Sequence, residues 1–322
     1  MNEIALHYKD ICLLPKYSML SSRSEADCSI NFLNNIFKLP VVPSNMTCVI
    51  DEERAKWLDQ NGYFYIMHRF GNTLDFVRNN KEHLNTISIS VGVKKEDHDL
   101  IKKLADDKLM DGKDYITVDI AHGHSYLMKD MISRIVDTLP VVNIIAGNVA
   151  TRLAYYDLVS WGADVVKIGI GGGSACSTKN KTGFTKPMYS CVSDIQNFKL
   201  TNGINVPIIA DGGIREHADI VKAIHAGADM VMAGGLFSKL IDSPAEIIDG
   251  HKIYFGSASQ FNKGEYKHVE GIKKSLELDT MTYHDKLLEI EQDLKSAISY
   301  SGGYTLEDIR NAESIQVSHW EA

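Results

Sequence analysis

Cysteine is scarce in this chain. Its 322 residues hold five, Cys12, Cys28, Cys48, Cys176 and Cys191, an odd number with no CxxC spacing. That pattern argues against a disulfide framework and for a reduced compartment. Positive charge is also in deficit, with 34 Lys and Arg against 42 Asp and Glu and a formal net charge of −8. Non-specific binding to nucleic acid or to an acidic membrane surface is therefore not expected, although a small phosphorylated substrate remains compatible. No apolar run is long enough to span a bilayer, and the first ten residues lack a basic segment followed by an apolar core. The expectation is a cytoplasmic protein. Internal repeats, low-complexity tracts and Pro/Ser linkers are missing as well, so residues 1–322 read as one domain.

What is present suits a globular enzyme: 44% hydrophobic and 24% charged residues. Eight short runs read as strands: Leu39–Pro43, Tyr63–Met67, Thr86–Val91, Tyr115–Asp119, Val141–Ala146, Val165–Ile170, Val206–Ala210 and Met230–Ala233. Amphipathic stretches lie between them, among them Asp51–Gln60, Lys95–Asp107, Tyr126–Asp137 and Arg215–Ala226. Eight strand–helix alternations with short connections predict an α/β fold, a single (β/α)8 TIM barrel. An open doubly wound sheet is the alternative. Residues 247–276 break the rhythm after strand eight and read as a flap near the mouth. Helical spacing then resumes at Leu287, Ile290, Leu294, Ala297 and Ile298, which reads as the last barrel helix.

The strands' C-terminal ends are rich in glycine and polar groups, and in such a barrel they converge on one mouth. The densest is Gly169–Thr178, where Cys176 stands in a glycine loop directly after an apolar strand. Glycines allow sharp bends and close approach of amides to an anion, and a thiol among amide dipoles more readily becomes the nucleophilic thiolate. A tight turn around an inert cysteine fits the same residues. Gly212-Gly213 and Gly234-Gly235 follow adjacent strands, where barrels commonly bind phosphate, though glycine pairs also serve tight turns. Asp211 could grip a ribose diol or cap a helix. His122, His124 and Asp119 lack a third ligand cluster, so no catalytic metal is expected. Met46 and Met67 read as core or pocket lining. Glu265 and Glu270 fall in the flap, either solvated or relaying a proton through a hydroxyl such as Thr178.

Together these residues resemble the IMP dehydrogenase/GMP reductase family. The resemblance runs from Asp10–Pro15 to Ser301–Gly303 and rests on the loop with Cys176 and Thr178, on Ala210–Arg215 and on Tyr254–Ser259. Within the family it is to bacterial GMP reductases, through Asn61–Phe70, Asp119–Ser125 and Lys181–Phe184. The regulatory insertion usual in IMP dehydrogenases has no room here, and their flap Arg-Tyr pair does not occur.

The resemblance implies NADPH-dependent reductive deamination of GMP to IMP, with ammonia released through a covalent Cys176 thioimidate at purine C2. Thr178 and Glu270 then handle the proton that departing ammonia needs. Asp211 holds the ribose; Ser174, Gly213, Gly234 and Gly235 hold phosphate; Met46 lines the nucleotide pocket, and His268 and Gly271 bound the stretch that reads the base. Asp119, Asn148 and Arg69 lie on the nicotinamide side. Carbonyls of Gly171, Gly173 and Cys176 match a loop for a monovalent cation, K+, on which dependence varies across the family. A homotetramer is implied too. Three departures stand out: Gly172 where the family usually has proline, Ser177 for a more usual threonine, and Thr185 where glycine is common. Two other readings stay open, an IMP dehydrogenase without its regulatory domain and a purine-nucleotide-binding barrel that has lost catalysis.

Overall fold

The computed structural model describes residues 4–256 and 271–317. Near the N-terminus β1 (Ile11–Leu14) is followed by a hairpin of β2 (Ile30–Phe32) and β3 (Asn35–Phe37). The central sheet contains β4 (Val41–Pro43), β5 (Ser88–Val91), β6 (Tyr115–Asp119), β7 (Asn143–Val149), β8 (Val165–Ile168), β9 (Ile208–Asp211) and β10 (Met230–Ala233). All seven are parallel, in the order β4-β10-β9-β8-β7-β6-β5. Such strands are covered on both sides, and their residues are almost all buried.

Seven of the eight expected strands form this sheet, with boundaries shifted by two or three residues at several ends. The eighth corrects the sequence reading. Tyr63–Met67 makes no ladder; only Met67 bridges Ile89, its amide donating to Ser88 O at 3.0 Å. The Tyr65 hydroxyl supplies further contacts to β5, donating to Thr86 O and accepting from Ser88 N. Phe64, Tyr65 and Ile66 are nonetheless fully buried.

The expected helices form at α1 (Glu52–Gln60), α2 (Lys95–Asp106), α3 (Tyr126–Thr138) and α4 (His217–His225). Their starts are set by side-chain caps: Asp51 accepts from Arg54 N, and Ser125 from Met128 N. Asp219 reaches back to the amides of Arg215 and Glu216. A helix over Tyr283–Tyr300 buries Leu287, Ile290, Leu294 and Ile298 of the five positions at helical spacing, while Ala297 is half-buried. The expected flap is only partly described: β11 (Ile247–Ile248), β12 (His251–Phe255) and β13 (Lys273–Glu277) form an antiparallel sheet, and residues 257–270 lie outside the described residues. Among the described residues, no helix is long and apolar enough to cross a membrane.

One buried cluster positions the site. Val42, Phe64, Ile66, Tyr115, Ile145, Val165, Ile209, Met230 and Met232 meet on the inner face of the curled sheet, with Phe32 and Phe37 of the hairpin beneath. Phe64 lies 5.5 Å from Phe32, 4.9 Å from Phe37 and 5.0 Å from Tyr115, centroid to centroid. The Tyr115 hydroxyl donates to Phe32 O at 3.0 Å, which ties the hairpin to the sheet. Because strand side chains alternate, residues two further along share this face. Those residues are Asp119 (four beyond Tyr115), Gly147, Lys167 and Asp211. An apolar layer thus underlies a charged one.

Candidate active site

A cavity of about 300 Å³ opens at the C-terminal ends of the parallel strands. The ends of all the sheet strands except β5 contribute to it. Met46 follows β4, Arg69 follows the Tyr63–Met67 segment, Asp119 ends β6, and Asn148 lies near the end of β7. The loop after β8 adds Gly171, Gly173, Ser174, Cys176 and Thr178, while Asp211 and Gly213 come from the end of β9. Gly234, Gly235 and Gly271 complete the set. Every site residue that the resemblance names thus lines this one cavity except His268 and Glu270, which with Glu265 lie outside the described residues.

The glycine loop is shaped by close approach. Gly169 has φ +134°, and a Cβ there would stand 2.0 Å from Asp211 O, so any side chain would drive β8 and β9 apart at the rim. Gly172, at the usual proline's position, packs on Met188, whose Cγ would lie 2.8 Å from an added Cβ. The Cys176 amide donates to Gly173 O at 3.0 Å, closing a turn and leaving that carbonyl one lone pair. Cys176 also bridges Gly271, and Ile272 N donates to Ala175 O at 2.9 Å. The returning end of the flap segment is thereby tied to the loop.

Cys176 Sγ donates to Thr178 Oγ1 at 3.2 Å. Thr178 opens the short helix Thr178–Thr182. A hydroxyl both accepts and donates, so it can take a proton from the thiol and pass one on. Three of the other cysteines are unsuited to this role, since burial pushes the thiols of Cys28 and Cys191 up to about 12 and raises that of Cys48, and Cys12 lies outside the cavity.

The charged layer centres on Lys167, which is 2% exposed. Its Nζ lies 2.8 Å from Asp119 Oδ1 and 2.8 Å from Asp211 Oδ2, and donates to Asn148 Oδ1. Asn148 Nδ2 in turn donates to Gly169 O and Asp211 Oδ2. Burial alone would push the Asp119 carboxyl up, but the Lys167 ammonium, Arg69 and Asn45 outweigh it and hold it below the ordinary value. Burial works against the Lys167 charge too, and the two carboxylates overcome it, leaving the ammonium more basic than usual. Asp211 is therefore no helix cap; Asp219 does that for α4.

On the other side, Gly213 has φ +83°, and Gly234 approaches so closely that an added Cβ would lie 2.5 Å from the Tyr254 hydroxyl. Ser174 hydrogen-bonds that hydroxyl, and Tyr254 also reaches Met46 Sδ. Gly235 begins a one-turn helix, Gly235–Ser238, whose first amides face the same rim. His124 points elsewhere, its Nε2 2.7 Å from Asp157 Oδ2 and its ring stacked on Trp161. No group of three or more His, Cys, Asp or Glu could hold a metal ion among the described residues.

Sequence reasoning missed Lys167, Tyr254 and Asn45. Lys167 sits in a run read simply as an apolar strand, yet it lies two positions beyond inward-facing Val165, which could have marked it. Tyr254 belongs to a motif to which no role was given. Asn45, whose Nδ2 donates to Ser90 Oγ at 2.9 Å, carries no such signal.

The comparisons with known proteins agree with this geometry. A family model described as IMP dehydrogenase / GMP reductase domain matches residues 5–320. A protein named GMP reductase from Albidiferax ferrireducens is 48% identical over 96% of this chain and 94% of its own length. Another of that name from Oceanobacillus iheyensis is 48% identical over 98% and 97% respectively, and one from Paracidovorax citrulli 47% over 96% and 94%. The chain belongs to the IMP dehydrogenase/GMP reductase family.

Proposed function

We propose that this protein is a GMP reductase: GMP, NADPH and a proton give IMP, ammonia and NADP+. The observation that carries the reading is the Cys176–Thr178 pair at 3.2 Å on the wall of the cavity that Asp211 and the glycine turns share. The names of relatives 48% identical over nearly the whole chain support it.

Cys176 attacks C2 of the purine, so a C–S bond forms and the C2–N bond breaks. Ammonia is a feasible leaving group only when its nitrogen is protonated, and Thr178 acts in that transfer with Glu270 as its partner. Covalent attachment divides one difficult displacement into two easier steps. NADPH, bound on the side of Asp119, Asn148 and Arg69, supplies the hydride that C2 receives before the C–S bond breaks and IMP leaves. That side suits a polar ligand, because Arg69 lines the cavity with a buried Nε that has no hydrogen-bond partner. Asp211 accepts from the ribose hydroxyls. Ser174 and the amides of Gly213, Gly234 and Gly235 hold the phosphate, while Met46, His268 and Gly271 bound the base.

Carbonyls of Gly171, Gly173 and Cys176 are oxygen donors of the kind that suit K+, which would order the loop. The single domain closes as an eight-stranded barrel, with Tyr63–Met67 as the eighth stave and residues 247–276 as a flap. Phe64 and Ile66 support closure, since both join the inner cluster with the residues of the seven strands. A cytoplasmic homotetramer is the assembly that fits the family resemblance.

The test combines purified protein, GMP and NADPH with and without K+, following cofactor absorbance, IMP and ammonia beside Cys176→Ala. Equal yields of all three products, lost in the variant, are expected. Silence toward GMP would reject the reading, and XMP from IMP and NAD would replace it with the dehydrogenase.

A further inference from the structure

We propose that Lys167 is a positioning residue for this reaction: one buried ammonium fixes the ribose carboxylate, Asp211, and the nicotinamide-side carboxylate, Asp119, in a single bonded unit. This rests on the functional reading above. The unit spans four neighbouring strands, with Asp119 on β6, Asn148 on β7, Lys167 on β8 and Asp211 on β9. Two carboxylates at one buried rim repel, and one of them would ordinarily take up a proton. Lys167 lies 2.8 Å from both and offsets that repulsion. Asn148 completes the connection, accepting from Lys167 and donating to Asp211.

The geometry is built around this side chain. Gly147, its ladder partner on β7, leaves the space beside the Lys167 backbone and Cβ open. At 2% exposure the ammonium has no access to solvent that could replace these partners. Other charged or titratable groups face the unit without duplicating its connection. Arg69 acts on Asp119, and the Tyr8 and Tyr254 hydroxyls feel Asp211 from the N-terminal segment and from β12. The Cys176 thiol lines the same cavity. A lysine that only filled space would need neither carboxylate, and a methionine of similar length would serve.

The test is the pH profile of kcat/KM for GMP, with separate kcat and KM for both substrates, in wild type, Lys167→Met and Lys167→Arg. Asp119 acts ionised, so activity is lost as pH falls through its folded pKa, which the Lys167 ammonium holds below the ordinary value. Removing the ammonium lets burial raise it. The acid limb of Lys167→Met is therefore expected about one to three pH units higher than in wild type. A kcat about a hundredfold lower is expected from loss of placement. Lys167→Arg keeps the charge and should keep the wild-type limb.

If the methionine variant does not fold, as judged by circular dichroism, Lys167→Gln decides, because it keeps two donors and lacks the charge. A folded neutral variant with the wild-type acid limb and near-wild-type kcat would overturn the proposal while leaving the functional reading intact. A wild type silent toward GMP would overturn both.

Discussion

Gly147 is the point at which packing and chemistry can be perturbed by a single methyl group. It pairs with Lys167 across the β7–β8 ladder, and an added Cβ would stand 2.4 Å from Lys167 O and 2.7 Å from Lys167 Cβ. Ordinary contacts between nonbonded carbons are about 3.5–4.0 Å, so Gly147→Ala must part the strands by about 1 Å. Overpacking of this kind costs about 1–3 kcal/mol, and in a large domain each kcal/mol is worth about 2–4 °C, so Tm should fall by roughly 2–12 °C. The displaced atoms belong to the residue that holds Asp119 and Asp211. A shift of about 1 Å there should lower kcat/KM about a hundredfold. Differential scanning fluorimetry and steady-state NADPH oxidation with GMP measure both effects. Gly112→Ala is the control, since its Cβ would meet only Val141 O at 3.5 Å. A Gly147→Ala protein that melts and turns over like the Gly112 variant would refute the argument.

Further outcomes follow from the same geometry. Limited iodoacetamide treatment at pH 8, read by peptide mass spectrometry, should modify Cys176 and the half-buried Cys12 while Cys28, Cys48 and Cys191 stay intact. IMP should protect only Cys176, and equal labelling of Cys191 would contradict the burial that pushes its thiol up to about 12. Phe64→Ala should lose about 3–5 kcal/mol in urea unfolding, because its ring contacts Phe32, Phe37 and Tyr115 inside the sheet. A loss below about 1 kcal/mol would mean that Tyr63–Met67 does not complete the inner layer. Asp211→Asn should weaken IMP binding by about 1.5–3 kcal/mol in calorimetry, the usual worth of a hydrogen bond to a charged group, and 2′,3′-dideoxy-IMP should be insensitive to the change.

The fold was legible where side-chain period and strand chemistry coincide. Tyr115–Asp119 and Met230–Ala233 match their strands residue for residue, because continuous apolar runs there end at glycine or polar residues. Val141–Ala146 was placed two residues early, since Val141 and Val142 look like strand but precede the ladder that begins at Asn143. Tyr63–Met67 shows the limit of pattern reading. Its residues are buried like a strand's, and nothing in their order reveals that backbone pairing is confined to Met67. Hydrophobicity reports burial, whereas a ladder also requires register with both neighbours.

The candidate site was legible for a different reason, and unevenly so. Loops that must approach a ligand need glycine, and a nucleophile needs a recognisable atom, so Cys176 and the turns at Gly213 and Gly234 announce themselves. Lys167 does not, because Val165–Ile168 reads as an apolar strand in which a single lysine draws no attention. It becomes intelligible only with parity. Val165 belongs to the inner cluster, Lys167 lies on the same face, and the carboxylates at the ends of β6 and β9 stand on the same inner side of the sheet. A buried charge without partners would be costly, so the lysine implies the acids as much as they imply it. The alternation that makes the apolar layer therefore also delivers the charges above it. A one-residue deletion within β8 would therefore turn Val165 and Lys167 away from the inner face together, costing fold and site at once.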